Sequence, residues 1–218
     1  MILCIETATT NCSVALGKKG KVLALKEDYS SSYSHAERLH LFIEQILQEN
    51  DLKPQDLSAI AVSKGPGSYT GLRIGVSAAK GLCFALDLPL ISIPTLRALA
   101  LQVKQEKDGF IIPLLDARRM EVYTAGFNSE NKKVFDTRAE ILLPTSFSEY
   151  LENANVSFIG SGVEKFSKIC THKNATFIKD KLPSAAEMVA LAEEKFQKEK
   201  FEDVAYFEPY YLKDFQAG

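Results

Sequence analysis

The residues best placed to do chemistry lie between Ala61 and Gly75, which reads Ala-Val-Ser-Lys-Gly-Pro-Gly-Ser-Tyr-Thr-Gly-Leu-Arg-Ile-Gly. Residues 57–62 read as a short buried strand. Gly65, Pro66 and Gly67 then turn the chain, because glycine tolerates positive φ and proline fixes its own. Ser68 and Thr70 suit a helix N-cap, and a mostly apolar segment follows over 72–86. Unpaired N–H groups at such a helix start can hold an anion or cap another chain's carbonyl groups. The spacing is not a nucleotide fingerprint. Leu72 follows Gly71 where a P-loop needs lysine, and Thr70 stands where G-x-G-x-x-G needs its third glycine. A plain strand-to-helix turn and an anion cradle both stay open.

Other reactive side chains are sparse. His35, His40 and His172 are the histidines, and the first two lie on different sides of a helix, so they cannot chelate as an i,i+4 pair. With no H-E-x-x-H and no C-x-x-C, a zinc site is not expected. No G-x-S-x-G elbow supplies a serine nucleophile. Ser77-Ala-Ala-Lys80 matches S-x-x-K, but neither S-D-N nor K-T-G accompanies it, so it reads as packing with a snorkelling lysine. Cys4, Cys12, Cys83 and Cys170 are scattered and read as buried free thiols of a reducing cytoplasm. Asp116, Arg118, Arg119 and Glu121 follow a buried strand, where they could orient a ligand or brace a lobe interface as ion pairs. The ion-pair reading is favoured.

These residues need a scaffold. The chain has 218 residues, 46% hydrophobic and 25% charged, which suits one large globular domain or two lobes. A formal net charge of -2 argues against a dedicated nucleic-acid binder. No apolar run is long enough to span a membrane, and the N-terminus lacks a signal-peptide pattern. Three antiparallel strands are expected over 2–5, 12–16 and 22–26, joined by turns, the first carrying Glu6 and three threonines. Ser34 with Glu37 forms a candidate capping box for a helix over 35–50, with a stripe of Leu39, Phe42, Ile43, Ile46 and Leu47 and with Leu41 off it. The 72–86 helix is apolar on all sides, interrupted only by Arg73, Ser77 and Lys80, while Gly75, Ala78, Ala79 and Gly81 permit close approach. Its outer face must therefore be covered, by the other lobe or by a second subunit.

A strand at 90–93 and a helix over 95–103 follow. The charged stretch 104–109 reads as a boundary between lobes 1–105 and 106–218, with the last segment free to pack back on the first lobe. The second lobe reads as strands at 110–115, 122–127, 134–142 and 156–159, a helix over 144–153, and a helix over 184–198. Gly160-Ser161-Gly162 repeats the strand–glycine turn of Gly65-Pro66-Gly67, which suggests repeated lobes.

Together, Ile2-Leu-Cys-Ile-Glu-Thr-Ala-Thr9, Cys12-Ser-Val-Ala15, the Gly65–Gly75 block, Asp116-Ala-Arg with Glu121-Val-Tyr123, Gly160-Ser-Gly162 and Glu208-Pro-Tyr-Tyr-Leu212 resemble the TsaB (YeaZ) family over nearly the whole chain. That family belongs to the bacterial machinery that makes threonylcarbamoyladenosine beside the anticodon of tRNA. The resemblance implies an actin-like, hexokinase-like (ASKHA) duplicated α/β fold with two βββαβα lobes. It implies a non-catalytic scaffold in the cytoplasm that binds a TsaD-like transferase and a TsaE-like ATPase. It also implies a homodimer in isolation, tRNA contact only through partners, and no cofactor. The TsaD paralogue holds its metal with H-x-x-x-H after the strand that follows the Gly-Pro-Gly helix. Here that region reads Pro94-Thr-Leu-Arg-Ala-Leu-Ala100. The expected partner face uses Leu39, Leu41 and Phe42 of the first helix. From the second it uses Gly71, Arg73, Ile74, Gly75, Ser77, Ala78, Lys80, Gly81 and Leu82. The alternative is an ATP- or metal-dependent transferase or peptidase with its own site, in which Glu6, Thr7 and the Gly160 turn would hold phosphates.

Overall fold

The computed structural model describes residues 1–29, 35–104 and 108–213. Ser34, the expected cap of the first helix, and part of the expected boundary at 104–109 lie outside them. In chain order the described elements are β1 (Ile2–Glu6), β2 (Cys12–Lys18), β3 (Lys21–Asp28), α1 (His35–Gln48), β4 (Ala59–Gly65), α2 (Tyr69–Leu86), β5 (Leu90–Pro94) and α3 (Thr95–Ala100). They continue with β6 (Phe110–Asp116), β7 (Glu121–Asn128), β8 (Lys133–Ile141), α4 (Ser148–Leu151), β9 (Val156–Ile159), α5 (Val163–Ser167), β10 (Ala175–Ile178) and α6 (Ala185–Gln197). None of the described helices is long and apolar enough to cross a membrane.

The chain folds as two units. One is Met1–Ala98 with Pro183 onward, and the other is Leu99–Leu182. This differs from a single cut near residue 105, because α6 belongs to the first unit. The cause is visible in β2, where side chains alternate between faces. Cys12, Val14 and Leu16 join the cluster of α1 and α2. Ser13 and Gly17 face α6 instead: Ala185 N donates to Ser13 Oγ at 3.0 Å, and a Cβ on Gly17 would overlap Val189. A strip of small residues on that face lets a helix from the far end of the chain seat closely.

The first sheet has the order β3-β2-β1-β4-β5, with β1 antiparallel to β2 and parallel to β4. Helices α1 and α2 cover one face, and every residue of the expected α1 stripe is buried. The second sheet has the order β10-β9-β6-β7-β8, with β6 antiparallel to β7 and parallel to β9. Its core is a ring cluster in which Phe158 meets Phe147, Phe166 and Phe177 at 4.9–5.5 Å between centroids. The two strand orders are the same when read from the third strand of each unit, which is the duplicated actin-like α/β arrangement. Each unit contains the run βββαβαβ, one strand longer than βββαβα, and the first adds α6. The helix expected over 144–153 contracts to α4, because Phe147 adopts φ 63° and starts the helix only after it. The short α5 and β10 have no counterpart in the expected elements.

Candidate functional site

The Gly-Pro-Gly turn and α2 rest on the turn between β1 and β2. Thr7 Oγ1 donates to Gly71 O at 2.8 Å, and Ser68 N donates to Ala8 O at 2.7 Å. A Cβ on Gly67 would overlap Ala8, and one on Gly71 or Gly75 would overlap Thr7. Glycine therefore recurs every four residues because the β1–β2 turn lies directly against one stripe of the helix. Backbone donors on either side of the turn are also taken. Gly65 N donates to Thr95 Oγ1 at 3.1 Å, and Ser68 caps the helix by accepting from Gly71 N at 3.2 Å. Those groups hold the chain to itself, which favours the structural turn over the anion cradle.

The opposite side of α2 is bare within its unit. Arg73, Ser77 and Gly81 are exposed, as is Phe84 at 86%, and a Cβ on Gly81 would meet nothing within 4 Å. Ile74, Ala78 and Leu82 are half-buried along the rim of the core, and Leu41 of α1 is 45% exposed. The expected partner face thus divides. Leu41, Arg73, Ile74, Ser77, Ala78, Gly81 and Leu82 reach the surface. Leu39, Phe42, Gly71 and Gly75 are buried within the unit itself, since α1 turns its stripe to the sheet and the two glycines face Thr7. Lys80 is partly spent: its ammonium donates to Ala205 O and Phe207 O, each at 3.1 Å, tying the C-terminal strap to the helix. The Arg73 guanidinium lies 4.1 Å over the Tyr69 ring and bonds to Tyr211. Phe84, the most exposed aromatic of α2, was legible as part of the all-round apolar helix but does not figure in the expected face.

The acid of the first turn is closed to solvent. Glu6 is fully buried, and its Oε1 accepts from Ala8 N at 2.6 Å and from Ser63 Oγ at 2.8 Å. Burial pushes its carboxyl up to about 7; the donors at Ala8, Ser63 and Thr7 hold it back, and the nearby charge of Glu187 adds to the rise. Such an acid titrates where proton transfer would be useful, but no part of Glu6 reaches the surface. His35 is also buried, with Nε2 at 2.7 Å from Thr9 O, and burial lowers its pKa. The four cysteines are free and buried, and burial pushes the Cys12 and Cys83 thiols up to about 11, which makes them poor nucleophiles.

In the second unit the charged turn is braced by one lysine. Lys165 Nζ donates to Arg119 O at 2.9 Å and Glu121 O at 2.6 Å, and pairs with Asp116 at 3.2 Å. Asp116 N donates to Ser161 Oγ at 3.0 Å, so the Gly160 turn and the acidic turn hold each other. Among the described residues no three of His, Cys, Asp and Glu come together as metal ligands. The end of β5 and α3, where a TsaD-like metal motif would fall, has no histidine. The residues present do not fit that metal.

Comparison with known proteins adds the following. Residues 29–218 match the model of the family TsaD, tRNA N6-adenosine threonylcarbamoyltransferase. The chain is 31% identical to the tRNA threonylcarbamoyladenosine biosynthesis protein TsaB of Escherichia coli (strain K12), over 98% of this chain and 94% of that protein. It is also 31% identical to TsaB of Haemophilus influenzae, over 98% of this chain and 93% of the relative. The match to TsaB of Bacillus subtilis (strain 168) is 41% identical but spans 60% of this chain and 56% of that protein. Among solved structures, YeaZ from Pseudomonas aeruginosa superposes with a TM-score of 0.82 at 26% identity, over 97% of this chain and 99% of that one.

Proposed function

Because the chain belongs to the TsaB (YeaZ) family, we propose that it serves the synthesis of threonylcarbamoyladenosine in tRNA, as a subunit without catalysis of its own. It binds a TsaD-like transferase through the outer face of α1 and α2, and works with a TsaE-like ATPase. It pairs with itself when no partner is present, and meets tRNA only through that assembly in the cytoplasm.

The observation that carries this reading is the bare side of α2. An 18-residue helix is set rigidly on glycines against the β1–β2 turn, while Phe84, Leu41 and the rim of Ile74, Ala78 and Leu82 lie open. An exposed aromatic with half-buried apolar neighbours on one helix is the mark of an association surface. Reconstitution tests it. Transfer of a threonylcarbamoyl group to tRNA by a purified TsaD-like enzyme with a TsaE-like ATPase should require this chain and should fail with Ala78→Arg. Full activity without the chain, or with the variant, would overturn the proposal.

One observation favours a second reading, a transferase or peptidase site of the chain's own. Glu6 is an acid held near neutrality at the carboxyl end of β1. Calorimetric titration of the isolated chain with ATP and magnesium separates the two. The subunit reading expects no heat of tight binding, whereas micromolar binding lost in Glu6→Gln would establish the second.

A further inference from the structure

The β6–β7 turn of the second unit holds two consecutive arginines in an unusual backbone. Arg118 has φ 69° and Arg119 φ 47°, the left-handed region that such side chains seldom adopt. The surroundings fix them there. Asp116 Oδ1 accepts from Arg118 N at 2.7 Å, and the Lys165 ammonium, on a side chain only 14% exposed, donates to the carbonyls of Arg119 and Glu121. Both arginines are exposed, and among the described residues neither guanidinium stands in an ion pair. The acids nearby are engaged: Asp116 with Lys165, and Glu140 with Arg138 at 2.7 Å. Glu121 is not free either.

The surface beside these cations is apolar. Leu142 N donates to Met120 O at 2.7 Å, and Glu121 pairs with Ile141 across β7 and β8. That register brings Ile141, 66% exposed, and Leu143, 57% exposed, to the same end of the sheet as the exposed Met120. We propose that this corner, with Arg118 and Arg119 on the turn and Met120, Ile141 and Leu143 beside them, docks an acidic segment of a partner protein that carries large apolar side chains. Arginine matches carboxylates with a planar two-pronged donor, and arginine with methionine is enriched at protein interfaces. The pinned turn removes much of the ordering cost of binding. A nucleic acid fits less well. It would need more cations than two and free aromatic faces for bases. The site lies on the second unit and does not depend on the α2 face.

Fluorescence anisotropy on the full chain tests this. The probe is a short labelled helical peptide with glutamates on one face and leucines on the other. Saturable micromolar binding is expected, weakened about tenfold or more by Arg118→Glu/Arg119→Glu and again by raising salt from about 0.05 M to about 0.5 M. Ile141→Ser/Leu143→Ser, at exposed positions, should also weaken it while leaving the melting temperature unchanged. A short RNA hairpin should fail to displace the peptide. The proposal is overturned if the RNA displaces it, if the arginine variants bind equally well, or if no saturable binding occurs up to millimolar protein.

Discussion

The two units share a strand order and differ in what is hung on it. In each, the first strand ends in an acid, Glu6 or Asp116, and a positive-φ glycine stands at the end of the fourth, Gly65 at 105° as its last residue and Gly160 at 114° just after it. The crossover helices are unlike. In the first unit they run 14 and 18 residues, and in the second 4 and 5. Glu6 is fully buried, while Asp116 is exposed and paired with Lys165. One topology thus supports two designs. The first unit spends its crossovers on long helices that leave an apolar side uncovered. The second closes its core with stacked rings and short turns, and presents charge at its corner.

Breaking the second design should have the largest effect. Phe158→Ala removes the ring that three others touch and should cost about 4 kcal/mol, read by thermal or urea unfolding. Below its melting point that variant should still bind a TsaD-like partner, since the α2 face is untouched. Gly71→Ala should cost about 3 kcal/mol, because the new Cβ overlaps Thr7 O in a close-packed seat. Here partner binding should weaken too, as α2 must shift. Equal partner binding by both variants would break the contrast between the units.

The buried acid of the first unit gives a pH signature. Glu6 is held at about 7 against an ordinary 4.5, so the folded state keeps its proton more tightly than the unfolded one. The stability this lends is complete below about pH 4.5 and is lost as pH rises through about 7. Glu6→Gln should therefore change little at acid pH and stabilise the chain by roughly 2–3 kcal/mol at pH near 8. Melting curves of both proteins across that range settle it; a parallel shift at every pH would mean that ionisation is not the cause. The smallest effect is expected on the open side of α2. Gly81→Ala has room for its Cβ and should stabilise by about 0.5–1 kcal/mol, the reverse of Gly71→Ala on the same helix.

Much of the first unit is legible in the sequence because its elements are long and periodic. The stripe Leu39, Phe42, Ile43, Ile46 and Leu47 needs only helical spacing to be read, and all five are buried. The uncovered side of α2 is legible in the same way, from apolar residues on every side of one helix. Which glycines face inward is not, since Gly71 and Gly81 differ only in whether Thr7 lies opposite. Placing α6 on the first sheet requires knowing that Ser13 and Gly17 make room for a helix beginning 172 residues after Ser13. The short α5 and β10 carry too few periods to stand out from loops. The left-handed Arg118 and Arg119 break the usual residue preference, so only the clamp by Lys165 makes them intelligible.

We propose that the bare side of α2 is where this chain meets a TsaD-like partner. Size-exclusion chromatography with light scattering, on this chain mixed with a TsaD-like protein, tests it most directly. The unaltered chain should co-elute as a complex. Phe84→Glu and Ala78→Arg should each elute apart from the partner and as monomers, with Phe84→Glu keeping the melting temperature of the unaltered chain, because Phe84 is 86% exposed and contributes little to its own fold. A complex that survives both substitutions at its full mass would contradict the account.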